Sequence, residues 1–295
     1  MNKTPKITII AIISLVLIWG MAYPIYKVGL SYTPPILFAG MRTFIGGILL
    51  FLVLLPTLRK LKFKKNWKQY IISAILNTVL FFGIQTVGLV FLPGGMFAVL
   101  IYFQPVLLSV LAWLWLGEDM TKKKIIGLIL GGIGVLLISF DGISGDISTL
   151  GIFFALVTAV VWAMGTVYVK SVSTQVDFLW MIAMQTIIGG SVLLLIGNIF
   201  EDFSNIIWNN EYIFSLGYGI TLGIPIAYIL YFGLINAGDS SKVASYTFLV
   251  PLISVLIGTL FLEEPLTFSL LTGMLLVVCS IYIVNYTKKK FKNMS

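Results

Sequence analysis

The chain has 295 residues, 59% of them hydrophobic and only 10% charged, whereas ordinary soluble domains are roughly a quarter charged; a soluble fold of this size is excluded. Its formal charge of +8 does not mark a nucleic-acid binder, because the basic residues sit in short loops between apolar runs and not on one aromatic-studded face. With no histidine and a single cysteine, Cys279, an intramolecular disulfide, a His-ligated or Cys-based metal centre, a Ser-His-Asp triad and a His proton relay are excluded.

A helix needs about 20 mostly apolar residues to cross a bilayer core about 30 Å thick. In chain order, such segments are predicted at residues 7–26, 35–56, 70–91, 95–116, 124–140, 150–169, 178–199, 212–232, 243–262 and 268–286. The first follows Lys3 and Lys6 as a signal peptide would, but no small-x-small cleavage pattern comes after it, so it is read as an uncleaved span. The predicted fold class is an all-α integral membrane protein of ten transmembrane helices, forming one membrane domain with no soluble module.

Ten spans put both termini on one side, with the loops after spans 2, 4, 6 and 8. That side collects 17 of the 19 basic residues, Lys27 and Arg42 being the other two. By the positive-inside rule it is cytoplasmic, which predicts a multi-pass cell-membrane protein with both termini in the cytoplasm.

The sequence also matches itself. At an offset of 143 residues, Met41-Arg42-Thr43-Phe44-Ile45-Gly46-Gly47 meets Met184-Gln185-Thr186-Ile187-Ile188-Gly189-Gly190, Trp19 meets Trp162 and Lys27 meets Lys170. At an offset of 146, Pro105 meets Pro251, Glu118 meets Glu264 and Gly127 meets Gly273. Residues 1–145 and 146–295 are therefore read as two repeats of five spans, which must insert with opposite topology. Inverted repeats are an architecture of many secondary transporters.

These residues resemble the EamA-type members of the drug/metabolite transporter superfamily. The marks are Trp19-Gly20, Arg42, Pro105 with Leu116-Gly117-Glu118, Pro251 with Leu262-Glu263-Glu264-Pro265, and Gly127 with Gly273. The resemblance covers essentially the whole chain and implies a transporter that moves a small metabolite, export being favoured over import. It does not choose a substrate. The second half departs where Gln185 replaces Arg42 and Ala163 replaces Gly20.

A substrate site is expected near the bilayer midplane, where the repeats meet. Pro105 and Pro251 sit near the middle of their spans, and each frees the carbonyl four residues back for a ligand or makes a packing kink. Tyr102, Gln104, Tyr246 and Thr247 cluster around them, with Trp19, Tyr23, Asn77, Gln85, Trp162, Gln185, Tyr228 and Tyr231 on other spans. Such side chains line a cavity or join helices by hydrogen bonds, since polar groups in lipid face the bundle interior. Arg42, the one charge well inside a predicted span, either meets a substrate carboxylate or gating partner or snorkels to the outer headgroups. Tyr26, Trp67, Trp180 and Tyr286 are expected as interfacial anchors, and Gly46-Gly47 and Gly127-x-x-x-Gly131 as places of close helix approach.

No phosphate-binding loop and no mid-span carboxylate is present. The function read from the chain is alternating-access transport of an amino acid or similar polar or amphipathic compound, without a cofactor. The partners implied are that small molecule and the lipid bilayer, with no nucleic acid. The alternative is an integral membrane enzyme acting on a lipid-linked substrate, which needs clustered acids; only Glu201, Asp202, Glu211, Glu263 and Glu264 offer them, at no recognised catalytic spacing. A channel predicts repeated polar rings, and the repeats share apolar and proline positions instead.

Overall fold

The computed structural model describes residues 5–92, 94–140, 148–238, 240–261 and 268–285, and among them there is no strand. The helices are α1 Pro5–Gly29, α2 Pro35–Leu54, α3 Phe63–Ala74, α4 Phe81–Phe91, α5 Gly94–Ile101, α6 Gln104–Leu116 and α7 Lys122–Phe140. After them come α8 Thr149–Ser171, α9 Phe178–Phe200, α10 Asn210–Tyr218, α11 Ala227–Ala237, α12 Ser240–Thr247, α13 Leu249–Phe261 and α14 Phe268–Asn285. Glu263, Glu264, Pro265, Asp141, Asp146, Asp239 and Tyr286 lie outside the described residues.

Local chemistry sets many of the helix ends. Asp177 caps α9 by accepting from the N–H groups of Leu179 (3.1 Å) and Trp180 (3.3 Å), and Asn209 caps α10 through Tyr212 N–H at 2.8 Å. Pro35 opens α2, where its missing N–H costs nothing, while both Glu201 carboxylate oxygens accept the free N–H groups of Ile36 and Leu37 at 2.9 and 2.7 Å. α6 stops at Gly117, whose φ of 66° is the left-handed conformation that glycine adopts without strain.

Six helical rods among the described residues are long and apolar enough to cross a membrane: Ile7–Gly29, Pro35–Lys60, Phe63–Phe91, Thr149–Ser171, Phe178–Phe200 and Asn210–Ala237. The other predicted spans are shorter or interrupted. The segment expected as one helix over 95–116 is split into α5 and α6 at Tyr102 and Phe103, and that expected over 243–262 is split into α12 and α13 at Phe248. Pro105 stands in the first turn of α6 and Pro251 in that of α13, so each break comes two or three residues before a proline. Two of the rods contain π-helical turns, at Ile75–Leu80 and at Gly219–Ile226, the second holding Pro225.

Apolar side chains cover the outside: Ile9, Ile13 and Leu17 on α1, Leu52 and Val53 on α2, Leu195 and Ile199 on α9 are all exposed. The interior holds the polar ones, Arg42, Thr43, Asn77, Gln85, Gln104 and Gln185 among them. That distribution suits a hydrocarbon solvent, in which polar groups must find partners inside the bundle.

Glycine sets the main crossings. A Cβ on Gly47 would stand 2.9 Å from the backbone nitrogen of Ile187, and one on Gly190 would stand 2.5 Å from that of Phe44, so α2 and α9 meet backbone to backbone. The neighbouring glycines face the π turns: a Cβ on Gly46 would lie 2.9 Å from the carbonyl of Ile220, and one on Gly189 would lie 3.1 Å from that of Ala74. α7 and α14 likewise pack through Gly131, against Phe248 and Ser280, and through Gly134, against the carbonyl of Gly273.

Candidate functional site

One face of α1 carries Trp19, Ala22, Tyr23 and Tyr26, spaced so that they stack along a single side of the helix. This face meets Phe81, Phe82 and Gln85 of α4, Tyr102 at the α5–α6 break, Trp162 of α8, Gly223 in the second π turn and Tyr228 of α11. Together they close around a cavity of about 20 Å³, roughly the room one water needs.

The walls are ring against ring. Trp162 is the hub, with Trp19 edge-on at 5.3 Å, Tyr102 edge-on at 5.5 Å, Phe81 at 5.4 Å and Tyr231 at 5.8 Å. Phe82 stacks on Tyr228 at 5.6 Å. The Trp162 indole N–H has no hydrogen-bond partner among the described residues.

Arg42 stands behind this wall, 1% exposed. Its guanidinium lies over the Tyr26 ring at 4.1 Å and within 5.2 Å of the rings of Phe38 and Phe82. Nη2 donates to Thr86 Oγ1 at 2.7 Å and to Gln85 Oε1 at 3.3 Å. Because arginine only donates, Gln85 must turn its oxygen to it, which leaves the Gln85 amide to donate to the Tyr23 hydroxyl at 3.1 Å. Nε and Nη1 have no acceptor, and no carboxylate pairs with Arg42, among the described residues. The side chain does not extend to the headgroups; it turns inward, where the rings, the Gln85 amide oxygen and the Thr86 hydroxyl receive it.

The other predicted site residues occupy four settings. Trp19, Tyr23, Gln85, Tyr102, Trp162 and Tyr228 line the cavity. Tyr231 and Gln104 back it, the Gln104 amide donating to the Tyr231 hydroxyl at 3.3 Å, which also meets Thr166 Oγ1 at 3.2 Å. Asn77 stands in the first π turn, donating to Ser73 Oγ (3.2 Å) and to the Gly165 carbonyl (3.3 Å), while its own carbonyl accepts from the Tyr228 hydroxyl at 3.2 Å. Gln185, Tyr246 and Thr247 are not brought to the cavity. Gln185 accepts from Ser73, Thr247 turns back onto the Ala244 carbonyl at 2.7 Å, and Tyr246 is half-buried on α12.

Ala22, Tyr26, Phe81, Phe82 and Gly223 line the cavity and were not expected there. Tyr26 was expected at the interface, but α1 continues to Gly29 and buries it, its hydroxyl packed where Gly223 leaves no side chain. The spacing of Tyr26 from Trp19 and Tyr23 was the available signal. Trp180 is also buried, its indole N–H donating to Thr57 O at 3.1 Å and Oγ1 at 3.2 Å at the end of α2. Trp67 is exposed.

Both ends of the bundle carry a lysine latch. At one end Lys27 Nζ donates to the terminal carbonyls of α4, at Leu89 (2.8 Å), Val90 (3.3 Å) and Leu92 (3.1 Å). At the other, Lys170 Nζ donates to Gly238 O at 2.6 Å, just past α11, and pairs with Glu118 Oε1 at 2.9 Å. The Ser240 N–H donates to that same oxygen at 2.9 Å. Burial by itself would raise the Glu118 carboxyl, but the bonds from Lys170 and Ser240 outweigh it and hold the group down to about 2. Among the described residues, no group of three His, Cys, Asp or Glu side chains is placed to hold a metal.

Comparison with known proteins gives a consistent picture. The sequence profile of the EamA-like transporter family matches residues 6–140 and again residues 149–286. The chain is 50% identical to the "Uncharacterized transporter YvbV" of Bacillus subtilis, over 98% of this chain and 95% of that protein. It is 32% identical to YoaV of the same organism, over 96% and 98%, and 26% identical to the inner membrane transporter YedA of Escherichia coli, over 84% and 81%. A solved crystal structure superposes on 96% of this chain and 97% of its own with a TM-score of 0.78 at 17% identity, a likeness of fold alone.

Proposed function

This chain belongs to the EamA-like transporter family and is a membrane transporter, and from that premise we propose that it carries a small carboxylate-bearing metabolite, of the amino-acid kind, by alternating access. Direction is taken as export and the location as the cell membrane, with both termini cytoplasmic. The first rests on the family resemblance. The second rests on the lysine-rich loops and on the inner-membrane naming of one relative.

The observation that carries the proposal is Arg42. A buried guanidinium without a counter-charge costs several kcal/mol, and two of its nitrogens lack acceptors among the described residues beside a wall of aromatic rings. A substrate carboxylate supplies both the missing charge and the missing acceptors, while Trp19, Trp162, Tyr102 and Phe82 receive its apolar part. The cavity is far smaller than the hundreds of Å³ usual for small-molecule sites. Substrate therefore enters only as the helices part, which agrees with a carrier closed between two open forms.

Ten spans in two inverted repeats of five, residues 1–145 and 146–295, give that motion its symmetry. Equivalent features support the reading: π turns at Ile75–Leu80 and Gly219–Ile226, breaks at Tyr102 and Phe248, and latches from Lys27 to Leu92 and from Lys170 to Gly238. The α1, α8 and α11 residues of the cavity then come from both repeats.

The test is counterflow in proteoliposomes with a panel of amino acids, their decarboxylated amines, nucleosides and organic cations. Saturable exchange is expected for carboxylate-bearing compounds, and Arg42→Gln should lower it at least about tenfold, as loss of a charge-assisted contact does. Exchange of amines equal to that of their parent acids, unchanged in Arg42→Gln, would overturn the proposal.

A further inference from the structure

The lysine-rich end carries a surface that the transport reading does not use. Between residues 55 and 76 the chain places Arg59, Lys60, Lys62, Lys64, Lys65 and Lys68 with no Asp or Glu. Lys60 is engaged by Asp177 at 3.7 Å, and all six basic residues are exposed. Lys62 is held in the left-handed region, at φ 42°, where the chain turns into α3.

On α3, Phe63, Trp67 and Ile71 follow one another at helical spacing, and all three are exposed. With Lys64 they line a shallow groove of about 540 Å³. Lys68, one turn beyond Lys64, sets its ammonium 5.6 Å from the Trp67 ring. One helical turn beyond Ile71 stands Ile75, exposed as Ile72 is.

Length fixes the depth of this surface. The rod Phe63–Phe91 has 29 residues, about 43 Å at helical rise against about 30 Å of hydrocarbon. Its far end is buried at Leu92, where Lys27 holds it, so the surplus of some two turns falls at Phe63 to Tyr70. Those turns stand at headgroup level, with ammonium groups above and apolar side chains below.

We propose that this groove is a binding site for an anionic phospholipid, its headgroup phosphate held between Lys64 and Lys68 and one acyl chain lying along Trp67, Ile71 and Ile75. The exposed apolar stripe of Phe63, Trp67, Ile71 and Ile75 at helical spacing beside the lysines selects a membrane lipid over a soluble anion. The cluster of positive charge selects an anionic headgroup over a zwitterionic one.

Quenching of tryptophan emission by brominated lipids tests this in the full-length protein reconstituted in phosphatidylcholine vesicles. At equal mole fraction, brominated phosphatidylglycerol is expected to quench severalfold more of the Trp67 emission than brominated phosphatidylcholine does. Trp67→Phe identifies that emission by difference, and the substitution of an exposed ring leaves the fold intact. The excess should vanish in Lys64→Gln/Lys68→Gln and persist in Lys122→Gln/Lys123→Gln. Equal quenching by the two lipids overturns the site, as does an excess that survives in Lys64→Gln/Lys68→Gln. Removal of the excess by millimolar inorganic phosphate would assign the groove to free anions and overturn the lipid.

Discussion

At Glu118 a single carboxylate joins three segments: the end of α6 that carries it, the end of α8 through Lys170, and the start of α12 through the Ser240 N–H. Its folded value of about 2 lies below the ordinary 4.5. The stability it contributes is therefore complete above about 4.5 and is lost as pH falls through about 2. Melting of the detergent-solubilised protein should fall over that window in the wild type and less in Glu118→Gln, which should already melt lower at neutral pH. Identical pH profiles would remove the ion pair from the account. Sequence put Lys170 and Glu118 at one end of the bundle through the repeat match and positive-inside counting. It carried no sign that they touch, because their contact depends on where α6 and α8 end. Arg42 was legible as an anomaly, a charge within an apolar span, but its direction was not, since snorkelling and burial leave the same sequence mark. Tyr26 was missed for a related reason: a tyrosine near a predicted helix end looks interfacial until Gly223 on a distant helix gives it room.

Among the elements, α2 and α9 depend most on what is absent. Gly47 and Gly190 face main-chain atoms that cannot move aside, so Gly190→Leu should destabilise the bundle by about 1–3 kcal/mol, as overpacking does. Gly132→Ala, whose nearest neighbour would be a Val106 methyl at 3.9 Å, should leave melting unchanged. Equal melting of the two variants would mean that this seam is looser than described. Paired glycines were readable as close approach from the sequence alone. The π turns opposite Gly46 and Gly189 were not, for the first rod has no proline or glycine within Ile75–Leu80 to announce an inserted residue. The breaks at Tyr102 and Phe248 were half legible: the prolines foretold a disturbance, but not that Tyr102 would leave the helix and turn its ring to Trp162.

For the whole molecule, the proposed topology is the point to test: it places three crossings between Lys122 and Asn205 and therefore puts them on opposite sides of the membrane. In a Cys279→Ser background, Asn205→Cys should react with an impermeant maleimide on intact cells, while Lys122→Cys should react only after the membrane is opened; the reverse pattern would invert the topology. Both positions are exposed, so a failure to label reports sidedness and not burial. The Lys170 latch bears on turnover. Its ammonium grips a full opposite charge on Glu118, and added salt screens the attraction between ions at a partly wet surface. Ionic strength should then shorten the dwell of the Lys170 end in its shut form. In the proposed alternating cycle this bolt takes a setting from its surroundings, so that the electrolyte bathing that end shifts how the resting population divides between facing in and facing out.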